Sequence, residues 1–378
     1  MIPIRLFSWS IQDPQQPEVD NINSSPRECV SRLIDAKFQQ KVYSEILDHQ
    51  ITKEFPPSQD YVKAFLKKYI GFIERDQDEE IDENLLEYYM EMVNTIPNMA
   101  GDHGSKDQDQ SSYKVYCLDN EQQQRVVLKV TLSMISQGTT GLSVWEASLT
   151  LVDYMIKNPD IIRGKIVLEL GSGCGLAGLV AAKLGAKKVI LTDFNGSVLK
   201  VLRHNRDKNQ DGKDSLGRDL YGRVSVDELD WAEAERYIAR HWSRDDDGGE
   251  EMLEENQNEL ARGREEVAIN AVADVIIGSD LVKSNTYDPD ILPYLTHVLD
   301  KLLINDKQQA FIMSTIRNED TFRRFKDLMT DKVPDLETSI ESMASMPKIL
   351  CHENSAADVR LISIKRSIAA VTETSASQ

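Results

Sequence analysis

The apolar positions of this chain follow two rhythms, one after the other. Through about residue 93 they recur at three- and four-residue steps, the spacing of helices with one buried face. Ser25-Pro26-Arg27-Glu28 is a helix start, with Ser25 as cap, proline at the first helical position and a glutamate three residues after the cap; Leu33, Ile34 and Phe38 then give an apolar face. Pro56-Pro57-Ser58 opens a second helix carrying Tyr61, Phe65, Tyr69 and Ile70, and a third over about 82–93 carries Leu85, Leu86, Tyr89 and Met92. Residues 99–112 are polar and contain glycine, as in a linker or long loop. Beyond them the rhythm changes. Residues 113–118 and 126–134 alternate like a hairpin, and Leu149, Val152, Met155 and Ile156 mark a helix. Strand patterns at 166–170, 188–192, 224–229, 273–277 and 309–314 then alternate with helix patterns, including 291–303 and 319–329, and 348–350 with 359–364 closes as an antiparallel-looking pair. Such alternation predicts an α/β fold, a mostly parallel sheet with helices on both faces. The expected organisation is a helical domain over 1–98, a linker over 99–112, the sheet domain over 113–366 with a charged insertion near 243–266, and a tail over 367–378.

The pattern is sharpest at 165–178, KIVLELGSGCGLAG. An apolar strand broken only by Glu169 runs into Gly171, Gly173 and Gly175, and Leu176, Leu179, Val180 and Leu184 follow at helical spacing. A carboxylate near the end of a buried parallel strand must be paired or must face a ligand. The glycines permit positive φ and close approach, and a helix beginning there aims free N–H groups at whatever binds. The dinucleotide fingerprint wants a small residue three positions after its second glycine; counted from Gly171 that position is Leu176, so the loop is more like one for S-adenosylmethionine. Asp193, 22 residues after Gly171, suits the ribose hydroxyls of either cofactor. Asp230-Trp231 at the end of the third strand suits an adenine, and Gly278-Ser279-Asp280 ends the fourth. Glu169, Asp193, Asp230 and Asp280 thus all fall at carboxyl ends of strands, where open α/β sheets bind ligands. Trp145, at the start of a helix, either covers a ligand or fills the core. Cys174 reads as a small filler of the turn rather than a nucleophile.

Composition trims the possibilities. With 378 residues and 40% apolar content the chain can bury one sizeable core and a smaller companion. A formal charge of −19 argues against direct nucleic-acid binding and against anionic membranes, because phosphate contacts need clustered cations. The acidic run Asp245 to Glu251 reads as a solvated insertion, with an electrostatic guide for a basic substrate as the sharper alternative. No long apolar run or leader pattern stands out, the four cysteines form no C-x-x-C pair, and the six histidines show no paired spacing. A reduced, cytoplasmic protein without a metal site is expected.

GTTGLSVWEASLTLVDYMIKNPDIIRGKIVLELGSGCGLAGL, from Gly138, resembles the Rossmann-like seven-β-strand protein-lysine methyltransferases, and among them the group acting on eukaryotic elongation factor 2. PPSQDYVKAFL, LDW at 229–231 and STIRNEDTFRRF at 314–325 share that resemblance. It implies S-adenosyl-L-methionine as donor and a lysine of translation elongation factor 2 as acceptor. It implies Trp145 beside the cofactor, Glu169, Gly171 and Gly173 around its methionine end, Asp193 on the ribose, Trp231 at the adenine, and Ser279 and Asp280 near the transferring methyl. The related Asp-x-x-Tyr motif is interrupted here: Asp280-Leu281-Val282 is followed by Lys283, and Tyr287-Asp288-Pro289 resembles the displaced end. Asp280 and Tyr287 are therefore both candidates to orient the acceptor amine. Methylation of another protein or a small molecule, and donor binding without turnover, are the alternatives.

Overall fold

The computed structural model describes residues 33–76, 79–94, 111–119, 124–131, 141–242, 273–282, 291–350 and 357–367. The helix start at Ser25, the charged insertion and Tyr287 lie outside them. The chain divides into two compact units, Met1–Ser143 with Ile349–Glu353, and Val144–Lys348 with Asn354–Gln378.

In the first unit, α1 (Ala36–Lys41) runs into a π-helical turn, Val42–Leu47, followed by α2 (Gln50–Glu54), α3 (Gln59–Ile73) and α4 (Glu83–Asn94). Ser58 caps α3 by accepting the Tyr61 N–H at 3.1 Å, as the Pro-Pro-Ser start predicts. The buried stripe of α3 is Val62, Phe65, Leu66, Tyr69, Ile70 and Ile73. Tyr61, expected on that face, is 37% exposed, because the capping geometry starts the stripe one residue later. Only Leu85 of α4 is fully covered. Buried Gln39 is satisfied at both ends: its Nε2 donates to the carbonyls of Ile34 (2.7 Å) and Glu80 (2.9 Å), and its Oε1 accepts the Asp82 N–H at 2.8 Å. These bonds fasten α1 to the segment leading into α4 and make a buried amide tolerable.

The hairpin, β1 (Ser111–Cys117) and β2 (Arg125–Thr131), forms its own two-stranded sheet. It belongs to the helical unit, not to the sheet domain expected from residue 113 onward. Tyr113 ties it there: its N–H donates to the Pro56 carbonyl at 3.3 Å and its ring meets Phe55 edge-on at 5.6 Å.

In the second unit, α5 (Glu146–Lys157) precedes β3 (Ile166–Leu170), α6 (Leu176–Lys183), β4 (Lys188–Asp193), α7 (Gly196–Asn209), β5 (Val224–Glu228), α8 (Ala234–Trp242), β6 (Val275–Ser279), α9 (Ile291–Leu302), β7 (Gln309–Thr315), α10 (Glu319–Lys332), β8 (Leu336–Ser342) and β9 (Val359–Arg366). The seven strands stand in the order β5-β4-β3-β6-β7-β9-β8. The first five are parallel, while β9 runs antiparallel to both β7 and β8. The parallel strands read clearly from sequence because both faces are covered: Val167, Leu168, Leu170, Val189, Leu191, Val275, Ile276 and Ile277 are all buried. β8 was not expected. The partner foreseen for 359–364 was 348–350, which is not a strand. β8 is an edge strand in which only Leu336 is buried, so LETSIES carries no apolar signal. After β5 the chain returns to the other side of β3, which puts the switch point between the carboxyl ends of β3 and β6.

Candidate functional site

The loop leaving β3 is fixed from beneath by β4. Ser172 N–H donates to the Thr192 carbonyl (2.8 Å), the Thr192 N–H returns to Ser172 Oγ (2.9 Å), and the Gly173 N–H reaches Asp193 Oδ2 (3.2 Å). Gly171, Gly173 and Gly175 have φ of 59°, 53° and 87°. A Cβ on Gly171 would stand 2.9 Å from Leu281 Cδ2 and 3.7 Å from Trp231 Cζ2. The loop thus lies against the residues that follow β6 and β5, with bare backbone where a side chain would crowd them.

Glu169 lies under this loop. Its side chain is buried, and Oε2 accepts the Gly178 N–H at 3.1 Å. Burial pushes its carboxyl up to about 8, although hydrogen bonds from Ser172 and the Gly178 N–H favour the charged form; the charge of Asp193 adds to the rise. Between the two options that the sequence leaves for a strand-end carboxylate, its partners in the structure are those of pairing within the fold.

Gly178 is the residue that sequence reasoning missed. A Cβ there would lie 2.2 Å from Leu191 Cδ2 and 2.7 Å from Glu169 Oε2, so α6 packs on the sheet through this glycine. Counted from Gly173, the run Gly173-Cys174-Gly175-Leu176-Ala177-Gly178 is G-x-G-x-x-G, with its third glycine at the helix–strand contact. Leu176 therefore does not argue against a dinucleotide; a frame starting two residues later shows why. Cys174 is buried in the turn, and its carbonyl accepts from Asn205 Nδ2 at 2.9 Å.

Around this loop the structure gathers the other strand ends. Asp193 is partly exposed, and each of its oxygens already accepts one backbone N–H, from Gly173 (3.2 Å) and Asn195 (3.1 Å). Asp230 caps the 3-10 turn Trp231–Glu233 through Ala232 N–H at 2.9 Å, and Trp231 packs half-buried against the core. Bare backbone at positive φ, a partly exposed carboxylate at the end of β4 and a half-covered indole fit an adenosyl group.

The end of β6 is built differently. Ser279 is its last residue, and Asp280 follows with φ 54°, the only non-glycine residue with positive φ among the described residues. Asp280 is 4% exposed, with Oδ1 accepting the Thr315 N–H at 2.9 Å and Oδ2 paired with Arg317 Nη2 at 3.0 Å. The Arg317 guanidinium carbon stands 5.5 Å from the centre of the Trp145 ring, at the start of α5. Arg317 had no role in the sequence analysis, although it lies inside the STIRNEDTFRRF stretch. A single base directly after β7, among acidic strand ends, was the available signal. Thr315 Oγ1 is buried in the same corner with no hydrogen-bond partner among the described residues. No group of metal-ligating side chains occurs among the described residues, and none of their helices is long and apolar enough to cross a membrane.

Comparison with known proteins bears on this arrangement. Residues 122–242, from the hairpin through α8, match a family model described as lysine methyltransferase. An uncharacterized protein of Dictyostelium discoideum is 28% identical over 290 residues, 71% of each chain. The protein-lysine N-methyltransferase EEF2KMT of Homo sapiens is 32% identical over 203 residues, 52% of this chain and 56% of that one, so the match spans about half of the human protein. The protein-lysine N-methyltransferase EFM3 of Chaetomium thermophilum is 26% identical over 302 residues, 78% of this chain and 79% of that one. Residues 122–242 are thus similar to the lysine methyltransferase family, whose methyl donor is S-adenosylmethionine, and the sheet order with the glycine loop over the switch point agrees with that likeness.

Proposed function

We propose that this chain methylates a lysine of translation elongation factor 2, that Asp280 orients the acceptor amine, and that it works in the cytoplasm, where translation runs. The observation that carries the catalytic part is the corner after β6. A carboxylate held in a left-handed backbone conformation by Thr315 and Arg317, next to the glycine loop, is a fixed hydrogen-bond acceptor rather than a mobile surface group. The elongation-factor part rests on the family resemblance and on relatives named protein-lysine N-methyltransferase.

When bound, S-adenosylmethionine supplies an activated methyl group on sulfur. The chain's own residues then bind and align. Gly171, Gly173 and Gly175 would let the donor approach the backbone at the start of α6, Asp193 would accept from its ribose, and Trp231 and Trp145 would hold its adenine and methionine sides. Ser279 and Asp280, at the end of β6, would align the amine with the methyl–sulfur bond. A free lysine has a pKa of about 10.4, so presenting it neutral near pH 7.4 costs about 4 kcal/mol. Tyr287, the second candidate for orienting the amine, lies beyond the described residues.

Purified chain, incubated with radiolabelled donor and either elongation factor 2 or a whole extract, tests this reading. Label on one lysine of the factor is expected. Label only on other components makes it a methyltransferase of different substrate, and donor binding with no label anywhere leaves a binding protein without turnover.

A further inference from the structure

The corner after β6 contains a physical conflict. An isolated carboxylate beside an amine favours the ammonium, commonly by 1–3 pKa units, yet the nucleophile must be the neutral amine. Taken alone, Asp280 would orient the acceptor and at the same time disarm it. The structure places a cation against that carboxylate: Arg317 Nη2 lies 3.0 Å from Asp280 Oδ2, and the Arg317 side chain is 47% exposed while that of Asp280 is 4% exposed. The guanidinium face stands over Trp145, so the charge is held between an indole and the carboxylate. Arg317 precedes Asn318, the cap of α10, whose Oδ1 accepts the N–H groups of Asp320 (2.8 Å) and Thr321 (3.2 Å). Its backbone is thus set between β7 and a capped helix.

We propose that Arg317 is a positioning residue that cancels the charge of Asp280 toward the acceptor, so that the corner receives a lysine as neutral amine. The inference rests on the reading of Asp280 given above. With the pair formed, Asp280 still offers lone pairs to an amine N–H, but the net field no longer holds the proton on nitrogen. An approaching ammonium also meets the exposed edge of the guanidinium, a like-charge contact. The amine nitrogen then uses its lone pair to form the N–C bond while the C–S bond breaks with its electron pair going to sulfur. The methylated ammonium loses its proton to solvent.

The test is the pH dependence of kcat at saturating donor and acceptor, since kcat reports groups in the bound complex. For Arg317→Met, kcat at pH 7 is expected to fall by about 10- to 100-fold, the inflection to move up by about 1–2 pH units, and the loss to close at alkaline pH. Arg317→Lys keeps the charge and is expected to keep the inflection. Arg317→Gln keeps a donor for Asp280 without charge and is expected to behave like the Met variant; it also serves if Arg317→Met does not fold. Calorimetric donor affinity within about threefold of wild type shows that the donor site survives. A loss of equal size at every pH, or an unchanged profile, overturns the inference while leaving the activity in place. A wild-type chain that transfers no methyl group to any lysine overturns both.

Discussion

The two strand ends that flank the switch point are made of opposite materials. After β3 the chain removes side chains and charge: glycines with positive φ line the turn, and Glu169 is enclosed and pushed up to about 8. After β6 it concentrates charge: Asp280 in a left-handed conformation, Arg317 against it and Trp145 beneath the guanidinium. On the proposed reading the first end holds a donor that needs close backbone approach, and the second must manage a proton. The contrast predicts that perturbing the first end moves stability, and perturbing the second moves turnover.

The largest effect is expected at Glu169. Its folded pKa, about 8, lies above the ordinary carboxyl value of 4.5, so folding favours the protonated form. Its contribution is complete below the unfolded value, falls as pH rises from there, and is lost by the time pH passes the folded value. The upper limit of that slope is about 1.4 kcal/mol per pH unit, several kcal/mol across the window. Glu169→Gln keeps an acceptor for the Gly178 N–H and cannot ionise. Denaturant unfolding of both proteins between pH 5 and 9 should show the wild type losing stability relative to the variant up to pH 8 and levelling above it. Parallel curves would mean that this end carries a charge after all and would erase the contrast.

Next is Asp280→Ala, expected to lower methyl transfer by about 100-fold or more, a loss of about 2.7 kcal/mol in transition-state stabilisation, with donor affinity nearly unchanged. Single-turnover kinetics beside calorimetry reads both. Activity equal to wild type would remove Asp280 from the chemistry. Gly178→Ala belongs to the other end. The new methyl would need Leu191 and Glu169 to move from 2.2 and 2.7 Å, at a cost of about 1–3 kcal/mol. Thermal unfolding checks it; an unchanged midpoint would show that α6 can lift off the sheet without loss.

How much of this could be read from the sequence divides along the same line. The donor end was largely legible, because buried parallel strands advertise themselves as apolar runs and glycines mark the turn between Leu170 and Leu176. What was missed there is the close contact at Gly178: the frame starting at Gly173 carries it as the third glycine, and β4 makes it tight by placing Leu191 against it. At the other end Asp280 was found through its position after β6 and through the resemblance. Arg317 was not, since a pair 37 residues apart has no local signature. The edge strand β8 was missed for a related reason, because its exposed faces leave no alternation to read. The placement of the hairpin is marked by Tyr113, whose contacts with Phe55 and Pro56 join segments far apart in sequence.

The smallest expected effect tests the contrast most finely. Thr315 sits at the charged end, its N–H on Asp280 Oδ1 at 2.9 Å, yet its hydroxyl oxygen is buried with no partner among the described residues. Leaving a hydroxyl unsatisfied costs about 1–3 kcal/mol, and replacing it with an apolar group of the same shape is nearly neutral or stabilising. If the hydroxyl serves only packing, Thr315→Val should raise stability by up to about 1 kcal/mol and leave kcat alone, since the backbone bond to Asp280 is kept. If a polar group of the acceptor completes the corner, the variant should gain the same stability and lose several-fold in kcat/KM. The charged end then differs from the donor end in one further respect: it stores an unsatisfied group that only substrate relieves. On the contrast drawn above, the second result is expected, and unfolding midpoints measured beside steady-state kinetics on the protein substrate distinguish the two.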